Sequence, residues 1–201
     1  MVTTRVEPSE GIDRRAVVAS LLADRGDTLV VTGLGSSTYD VHAVGDDDAN
    51  YYLWGAMGAA ALVGFGLAIA QPQRRVLVIT GDGEQLMAFG SLATIAVAGP
   101  PNLDIVVLDN EHYGETGMQA SHTGHGLDLA SVAAACGFPS TGVVRQLDEV
   151  ERLRVEIRSG RSGPSLHVVK ILPVNPPRSM PLRDAVMIKN RFRAHLGLAP
   201  N

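Results

Sequence analysis

Apolar and polar positions along the chain follow two patterns: short unbroken apolar runs, and longer stretches with apolar residues at helical spacing. The unbroken runs are rich in β-branched residues, which is typical of buried parallel strands. These runs predict strands at residues 28–32, 75–80, 103–108, 141–145 and 165–172.

Stretches with helical spacing separate these strands. They predict helices at residues 12–24, 57–70, 85–98, 127–136, 147–159 and 182–196, and a turn over 33–38. Strands that alternate with helices favour an α/β fold, three layers α/β/α, with a mainly parallel sheet and helices on both faces. We predict one domain over residues 1–175 and a C-terminal tail with a short helix over 176–201.

One apolar stretch, residues 53–70, contains no charged residue and has the length of a membrane span. Four glycines interrupt it, and turn and strand signals follow at once. A helix that is apolar on every side is also typical of a central helix buried between a sheet and a partner. We favour this buried helix over a membrane helix.

Composition narrows the function classes. The net charge of the 201 residues is −4, which argues against nucleic acid as the main partner. A single cysteine, Cys136, excludes an internal disulfide framework and a cysteine-ligated cluster. The N-terminal residues lack the apolar core of a secretory signal, which favours a cytoplasmic location.

Three segments with glycine or polar residues follow predicted strands: Gly33–Ser36, Gly81–Glu84 and Asp109–Gly114. Ligands of parallel sheets bind at the carboxyl ends of strands, and glycines there let the backbone approach a phosphate. The candidate cofactor-binding residues in these segments are Gly35, Ser36, Gly81, Asp82, Gly83, Glu84, Asn110, Tyr113 and Gly114.

The spacing of two of these segments indicates a metal site. On its own, Gly81-Asp-Gly83 is more often a strand-to-helix turn whose Asp caps the helix. However, 26 residues separate Gly83 from Asn110, enough for one helix and one strand. Asp82 and Asn110 are therefore predicted at the ends of neighbouring strands. One carboxylate and one amide oxygen suit Mg²⁺, which completes its octahedron with phosphate and water.

These residues resemble the diphosphate-binding domain of thiamine diphosphate (ThDP) enzymes. The signature of that domain is Gly-Asp-Gly followed, one helix and one strand later, by Asn. The resemblance implies that ThDP and Mg²⁺ bind here, with Mg²⁺ ligated by the side chains of Asp82 and Asn110 and by the backbone carbonyl of His112.

A second match lies upstream. The segment Leu53–Gly58 is similar to the part of pyruvate decarboxylases and acetolactate synthases that lies beneath the aminopyrimidine of the cofactor. The resemblance implies that the Gly55 carbonyl accepts a hydrogen bond from the aminopyrimidine and that Met57 is the apolar wedge under it. Across residues 28–172 the chain is most similar to the small domains or subunits of phosphonopyruvate and sulfopyruvate decarboxylases, which implies decarboxylation of a small 2-oxo acid.

The resemblance also implies a partner. In this family the glutamate that activates the cofactor belongs to a pyrimidine-binding domain, and no segment here is left for one. We therefore expect a separate α-type subunit to supply it. His122, His125 and Glu115 are candidate proton relays. Two alternatives stay open: a ThDP subunit of another carboligase or oxidoreductase, and a nucleotide-binding regulatory module in which Asp82 only caps a helix.

Overall fold

A parallel six-stranded sheet is the central layer of the computed structural model, which describes residues 11–160 and 162–199. The N-terminal residues in which no signal peptide is predicted lie outside these ranges, as do parts of the predicted domain and tail. Its strands are β1 (Leu29–Thr32), β2 (Asn50–Tyr52), β3 (Val76–Gly81), β4 (Leu103–Asp109), β7 (Ser140–Val144) and β8 (Ser165–Lys170). Their order in the sheet is β2-β1-β3-β4-β8-β7.

Helices cover both faces of this sheet, as the alternating pattern predicts. They are α1 (Arg14–Leu22), α2 (Ser36–Val44), α3 (Ala60–Ala70), α4 (Asp82–Met87), α5 (Ser91–Ala98), α6 (Leu129–Cys136), α7 (Leu147–Ser159) and α8 (Ala185–His195). A small hairpin, β5 (His112–Tyr113) with β6 (Gln119–Ala120), and a 3-10 turn, Thr123–His125, follow β4. The α/β fold with a mainly parallel sheet is confirmed.

The core consists of two apolar layers, one on each face. Alternate residues of the central strands point to opposite sides, as in β3, where Val78 packs in one layer and Ile79 in the other. Helices α3, α5 and α6 cover the first layer, and α1, α2 and α7 cover the second. The sheet is therefore buried on both faces, which explains why its strands are unbroken apolar runs.

The structure corrects the sequence reading at several places. Residues 33–38 are not only a turn, because α2 begins at Ser36. The predicted helix 85–98 is two helices, α4 and α5, separated by Ala88–Gly90. Strand β2 was not predicted, since its three residues lack an apolar run. Helix α3 begins at Ala60 rather than at residue 57, because glycines with positive φ precede it.

The membrane alternative concerned residues 53–70. Helix α3 accounts for 11 of these residues. Within residues 11–160 and 162–199, the structure contains no helix of the length and hydropathy needed to span a membrane.

Candidate functional site

The carboxyl ends of β3 and β4 bring the two predicted metal-binding segments together. Gly81, the last residue of β3, pairs with Leu108 of β4. Asp82 then begins α4, and Asn110 directly follows β4. Both residues line one pocket that opens to solvent, which we call the strand-tip pocket. Its other lining residues are Arg14, Leu34, Ser36, Ser37, Gly81, Gly83, Glu84, Leu108, His112, Gly114, Glu115 and Ile171.

Asp82 is the most deeply buried carboxylate of this pocket, with 2% of its surface exposed. Its Oδ2 accepts hydrogen bonds from the hydroxyls of Ser121 and Thr123, the latter at 3.1 Å. Burial raises the pKa of Asp82 to about 6; the two hydroxyls lower it, and the nearby Asp109 carboxylate raises it further. A buried carboxylate whose charge is only partly compensated by hydroxyls is suited to bind a cation.

Asn110 and His112 supply two further oxygens. The Asn110 Oδ1 accepts a hydrogen bond from the His112 backbone N–H at 3.0 Å, and the His112 carbonyl accepts one from Gly114 at 3.1 Å. Each oxygen keeps a second lone pair. Over the described ranges, no three His, Cys, Asp or Glu side chains form a metal-binding group. A carboxylate, an amide and a backbone carbonyl nevertheless fit Mg²⁺, which needs few protein ligands.

A chain of polar contacts extends from Asp82 to the next strand. The Thr123 hydroxyl lies 2.7 Å from Asp109 Oδ1 as well as near Asp82. The other Asp109 oxygen accepts a hydrogen bond from Lys170 of β8 at 2.7 Å. Because Lys170 compensates Asp109, two buried carboxylates are accommodated side by side. No pattern in the sequence indicates Ser121, Thr123 or Lys170 as members of this site.

Close packing fixes the Gly-Asp-Gly turn. A Cβ on Gly83 would lie 2.5 Å from the ring of Tyr113, so a larger residue would require this ring to move. The Tyr113 hydroxyl is 3.3 Å from Nδ1 of His122. Both His122 and His125 are exposed and neither lines the strand-tip pocket. Their role as proton relays stays a prediction.

Glu84 lines the strand-tip pocket, but it also connects three loops. Its Oε2 accepts a hydrogen bond from the Thr80 hydroxyl at 2.9 Å. The carboxylate also faces the backbone N–H groups of Leu34 and Gly58; burial raises its pKa, and these hydrogen bonds oppose the rise. A Cβ on Gly33 would lie 1.5 Å from Oε2, so this glycine leaves the space that the carboxylate occupies. Glu84 therefore links the loops that follow β1, β2 and β3.

Ser36 and Glu115 form one side of the pocket. The Ser36 hydroxyl donates a hydrogen bond to Glu115 at 3.0 Å, and Arg178 donates to the other carboxylate oxygen at 2.9 Å. Gly35 has a φ of +79° and lies against the Glu115 side chain, where a Cβ would be 3.1 Å from Cγ. Ser36 and Glu115 are thus brought together with Asp82 and Asn110, as lining residues of one pocket.

The predicted pyrimidine segment is separate from this pocket. Gly55 and Met57 do not line it; they lie in the loop between β2 and α3. This loop is tight, with positive φ at Gly55, Ala56 and Gly58. The Met57 side chain is 45% exposed. Through Gly58, whose Cβ would lie 3.1 Å from that of Met87, the loop packs against the end of α4.

Comparison with known proteins identifies the class. Residues 34–169 match the model of the C-terminal thiamine pyrophosphate (TPP) binding domain of thiamine pyrophosphate enzymes. Thiamine pyrophosphate is another name for ThDP. The chain therefore belongs to this family of ThDP-binding domains.

Two relatives are similar over most of the chain. The sulfopyruvate decarboxylase subunit beta of Methanocaldococcus jannaschii is 35% identical over 166 residues, which are 82% of this chain and 86% of that protein. The phosphonopyruvate decarboxylase of Streptomyces viridochromogenes is 37% identical over 194 residues, 93% of this chain. This chain spans only 47% of that second, longer protein.

Solved structures share the fold. The benzoylformate decarboxylase of Polynucleobacter necessarius superposes with a TM-score of 0.70 at 23% identity, over 88% of this chain and 36% of that one. At this identity the likeness concerns the fold alone.

Proposed function

We propose that this chain is the ThDP- and Mg²⁺-binding subunit of a 2-oxo acid decarboxylase similar to sulfopyruvate and phosphonopyruvate decarboxylases. One observation carries the proposal: Asp82 and Asn110, at the tips of neighbouring strands, line a single open pocket. The names of the two relatives support decarboxylation of a small 2-oxo acid. We further propose a cytoplasmic location, with no nucleic acid or membrane as partner.

Each part of the strand-tip pocket has a task in this proposal. Asp82, Asn110 and the His112 carbonyl hold Mg²⁺, with Ser121 and Thr123 fixing the Asp82 carboxylate. The backbone at Gly81–Gly83, and N–H groups at the start of α2, approach the diphosphate. When bound, ThDP supplies the electron sink for loss of CO₂.

A separate pyrimidine-binding subunit completes the site in this proposal. Helices α3 and α5 cover the same face of the sheet, and the stretches that contain them, residues 49–73 and 85–103, have no charged residue. They expose apolar side chains, which are Met57, Leu62, Ile69, Met87, Phe89 and Val97. Several exposed apolar side chains on one face of a sheet are typical of an interaction site. Because the Met57 loop borders this surface, the subunit that covers it would reach the cofactor and supply the activating glutamate.

A metal-dependent ThDP titration of the purified chain tests the proposal. We expect heat of binding with Mg²⁺ and its loss with EDTA. In Asp82→Ala the affinity should fall by at least about 100-fold, since loss even of outer-shell partners costs 10–100-fold. Asp148→Ala, an exposed carboxylate on α7, is the matched control and should bind as the wild type does.

The outcomes separate the alternatives. Unchanged ThDP affinity in a folded Asp82→Ala chain, checked by circular dichroism, would refute the metal assignment. Absence of ThDP binding by the wild-type chain, alone and with its partner, would favour the nucleotide-binding module. Product analysis with the complete enzyme distinguishes a decarboxylase from another carboligase or oxidoreductase.

A further inference from the structure

A second cavity adjoins the strand-tip pocket on the side of the C-terminal segment. We call it the arginine cleft; it also opens to solvent. The cleft lies between α1, α2, Glu115 and residues 175–178. The two cavities share Arg14, Ser36 and Glu115 and therefore lie next to each other.

The arginine cleft carries excess positive charge. Three arginines line it against two carboxylates, Asp40 and Glu115. Arg14 is buried and bound to Asp40, with Nε 2.5 Å from Oδ2. Arg15 lies 3.5 Å from the same carboxylate and donates to the Pro177 carbonyl. Arg178 pairs with Glu115 and its side chain is 62% exposed. Of the three, Arg178 is the cation most accessible to a ligand.

The structure fixes Arg178 in position from both sides. Its preceding residue, Pro177, accepts the hydrogen bond from Arg15, and its following residue, Ser179, lies 2.8 Å from Nδ1 of His42 on α2. The guanidinium lies over the Tyr39 ring, 5.7 Å from its centroid. Such stacking and tethering lower the entropy lost when the guanidinium binds an anion.

We propose that the arginine cleft binds a tetrahedral oxyanion, a sulfonate or phosphonate, attached to C3 of the 2-oxo acid, and that Arg178 determines specificity for it. This inference rests on the proposed function. A guanidinium offers planar, paired N–H donors that match such oxyanions. The single Nη2 contact to Glu115 leaves further donors on the same plane. Asn175, Tyr39 and Ser36 add neutral polar groups around the cleft.

Kinetics of the complete enzyme test the proposal, with the wild-type chain, Arg178→Met and Arg178→Lys. The chain is assembled with its partner, ThDP and Mg²⁺, and assayed on 3-sulfopyruvate, phosphonopyruvate and pyruvate. In Arg178→Met we expect kcat/KM to fall about 10- to 100-fold for the two anionic substrates, through KM, since a hydrogen bond to a charged group is lost. For pyruvate the change should stay within about threefold. Arg178→Lys should recover part of the loss, because charge returns without the planar donors.

Arg183→Met, an exposed arginine of the same segment, is the matched control and should behave as the wild type does. A direct readout without turnover is calorimetric titration of 3-sulfopropanoate, which lacks the keto group; its affinity should fall in Arg178→Met and not in Arg183→Met. The ThDP affinity should be equal in all variants.

Three results would overturn the inference while leaving the proposed function intact: equal losses on pyruvate and the anionic substrates, no loss on the anionic substrates, or a wild-type preference for pyruvate. Failure of the wild-type complex to bind ThDP with Mg²⁺ would instead remove the proposed function, and this inference with it.

Discussion

The strand-tip pocket and the Gly55–Gly58 loop differ in how far the chain completes them by itself. At the pocket, Asp82 is almost fully buried and hydrogen-bonded to Ser121 and Thr123. At the loop, the Met57 side chain lies 45% exposed beside other uncovered apolar residues. The metal end of the proposed site is therefore preorganised within the chain, whereas the pyrimidine end lacks a covering surface.

Physical chemistry explains this difference. A carboxylate that becomes buried when the chain folds needs hydrogen-bond donors around it. Those donors therefore come from the same domain. An apolar side chain needs only removal from water, which a second polypeptide can supply. If two subunits share the active site, this chain should therefore bind the diphosphate. Both subunits should contribute to activation of the ring.

The largest expected effect concerns turnover without the partner. We predict that the purified chain binds ThDP and Mg²⁺ but decarboxylates 2-oxo acids about 10²- to 10⁴-fold more slowly than the complete enzyme, because the proton-transfer group is missing. Release of CO₂ is measured with and without the pyrimidine-binding subunit. Full turnover by the chain alone would contradict the split between the two regions.

The sequence was most informative where apolar runs define strands. Strands β3 and β4 match the predicted runs within a residue or two, because both are buried on both faces. Their order along the chain was enough to place Asp82 beside Asn110. Helix α2 was missed because its buried side is partly polar: Thr38 bonds to Thr32, and Asp40 bonds to Arg14. Apolar periodicity cannot reveal such a face.

Hydrogen-bond partners that lie far apart in the chain also cannot be predicted from the sequence patterns. Ser121 and Thr123 lie 39 and 41 residues from Asp82, in a loop whose histidines were the more conspicuous candidates. Glu84 was predicted as a cofactor ligand, and its links to Thr80, Leu34 and Gly58 became visible only in three dimensions. Hydroxyls and backbone N–H groups leave no spacing signal of their own.

The second prediction concerns the ionisation of the buried Asp82 carboxylate in the absence of metal. Burial raises the pKa of Asp82 to about 6, from an ordinary 3.8. The folded chain then binds this proton more tightly than the unfolded chain, so the unfolding free energy decreases as pH rises from about 4 to about 6. Asp82→Asn has no such penalty. In EDTA at pH 7.5 we expect it to be more stable than the wild type by about 1–3 kcal/mol, with no comparable gain at pH 4.

Urea unfolding at the two pH values measures this difference. Asp148→Asn, on the exposed face of α7, is the control and should show no pH-dependent gain. Mg²⁺ with ThDP should reverse the order, because the charged wild-type carboxylate binds the cation more tightly than a neutral amide does. An Asp82→Asn chain that is less stable than the wild type in EDTA at pH 7.5 would show that the carboxylate stabilises the metal-free fold.

The smallest effect concerns the pyrimidine end. We predict that Met57→Ala lowers kcat of the complete enzyme roughly fivefold, because the apolar wedge beneath the cofactor is lost. This corresponds to a rise of about 1 kcal/mol in the activation free energy. The free energy of unfolding of the isolated chain should change by less than about 0.5 kcal/mol, since Met57 is exposed there. Both quantities are measured by steady-state kinetics and by urea unfolding.

Met187→Ala is the matched control, because Met187 is similarly exposed but lies on α8. It should leave both kcat and stability unchanged. If Met57→Ala instead destabilises the isolated chain by 2 kcal/mol or more, a scale that marks a core truncation, then Met57 is a packing residue of this subunit. The contrast between a self-sufficient metal end and a partner-dependent pyrimidine end would then be wrong at the residue that defines it.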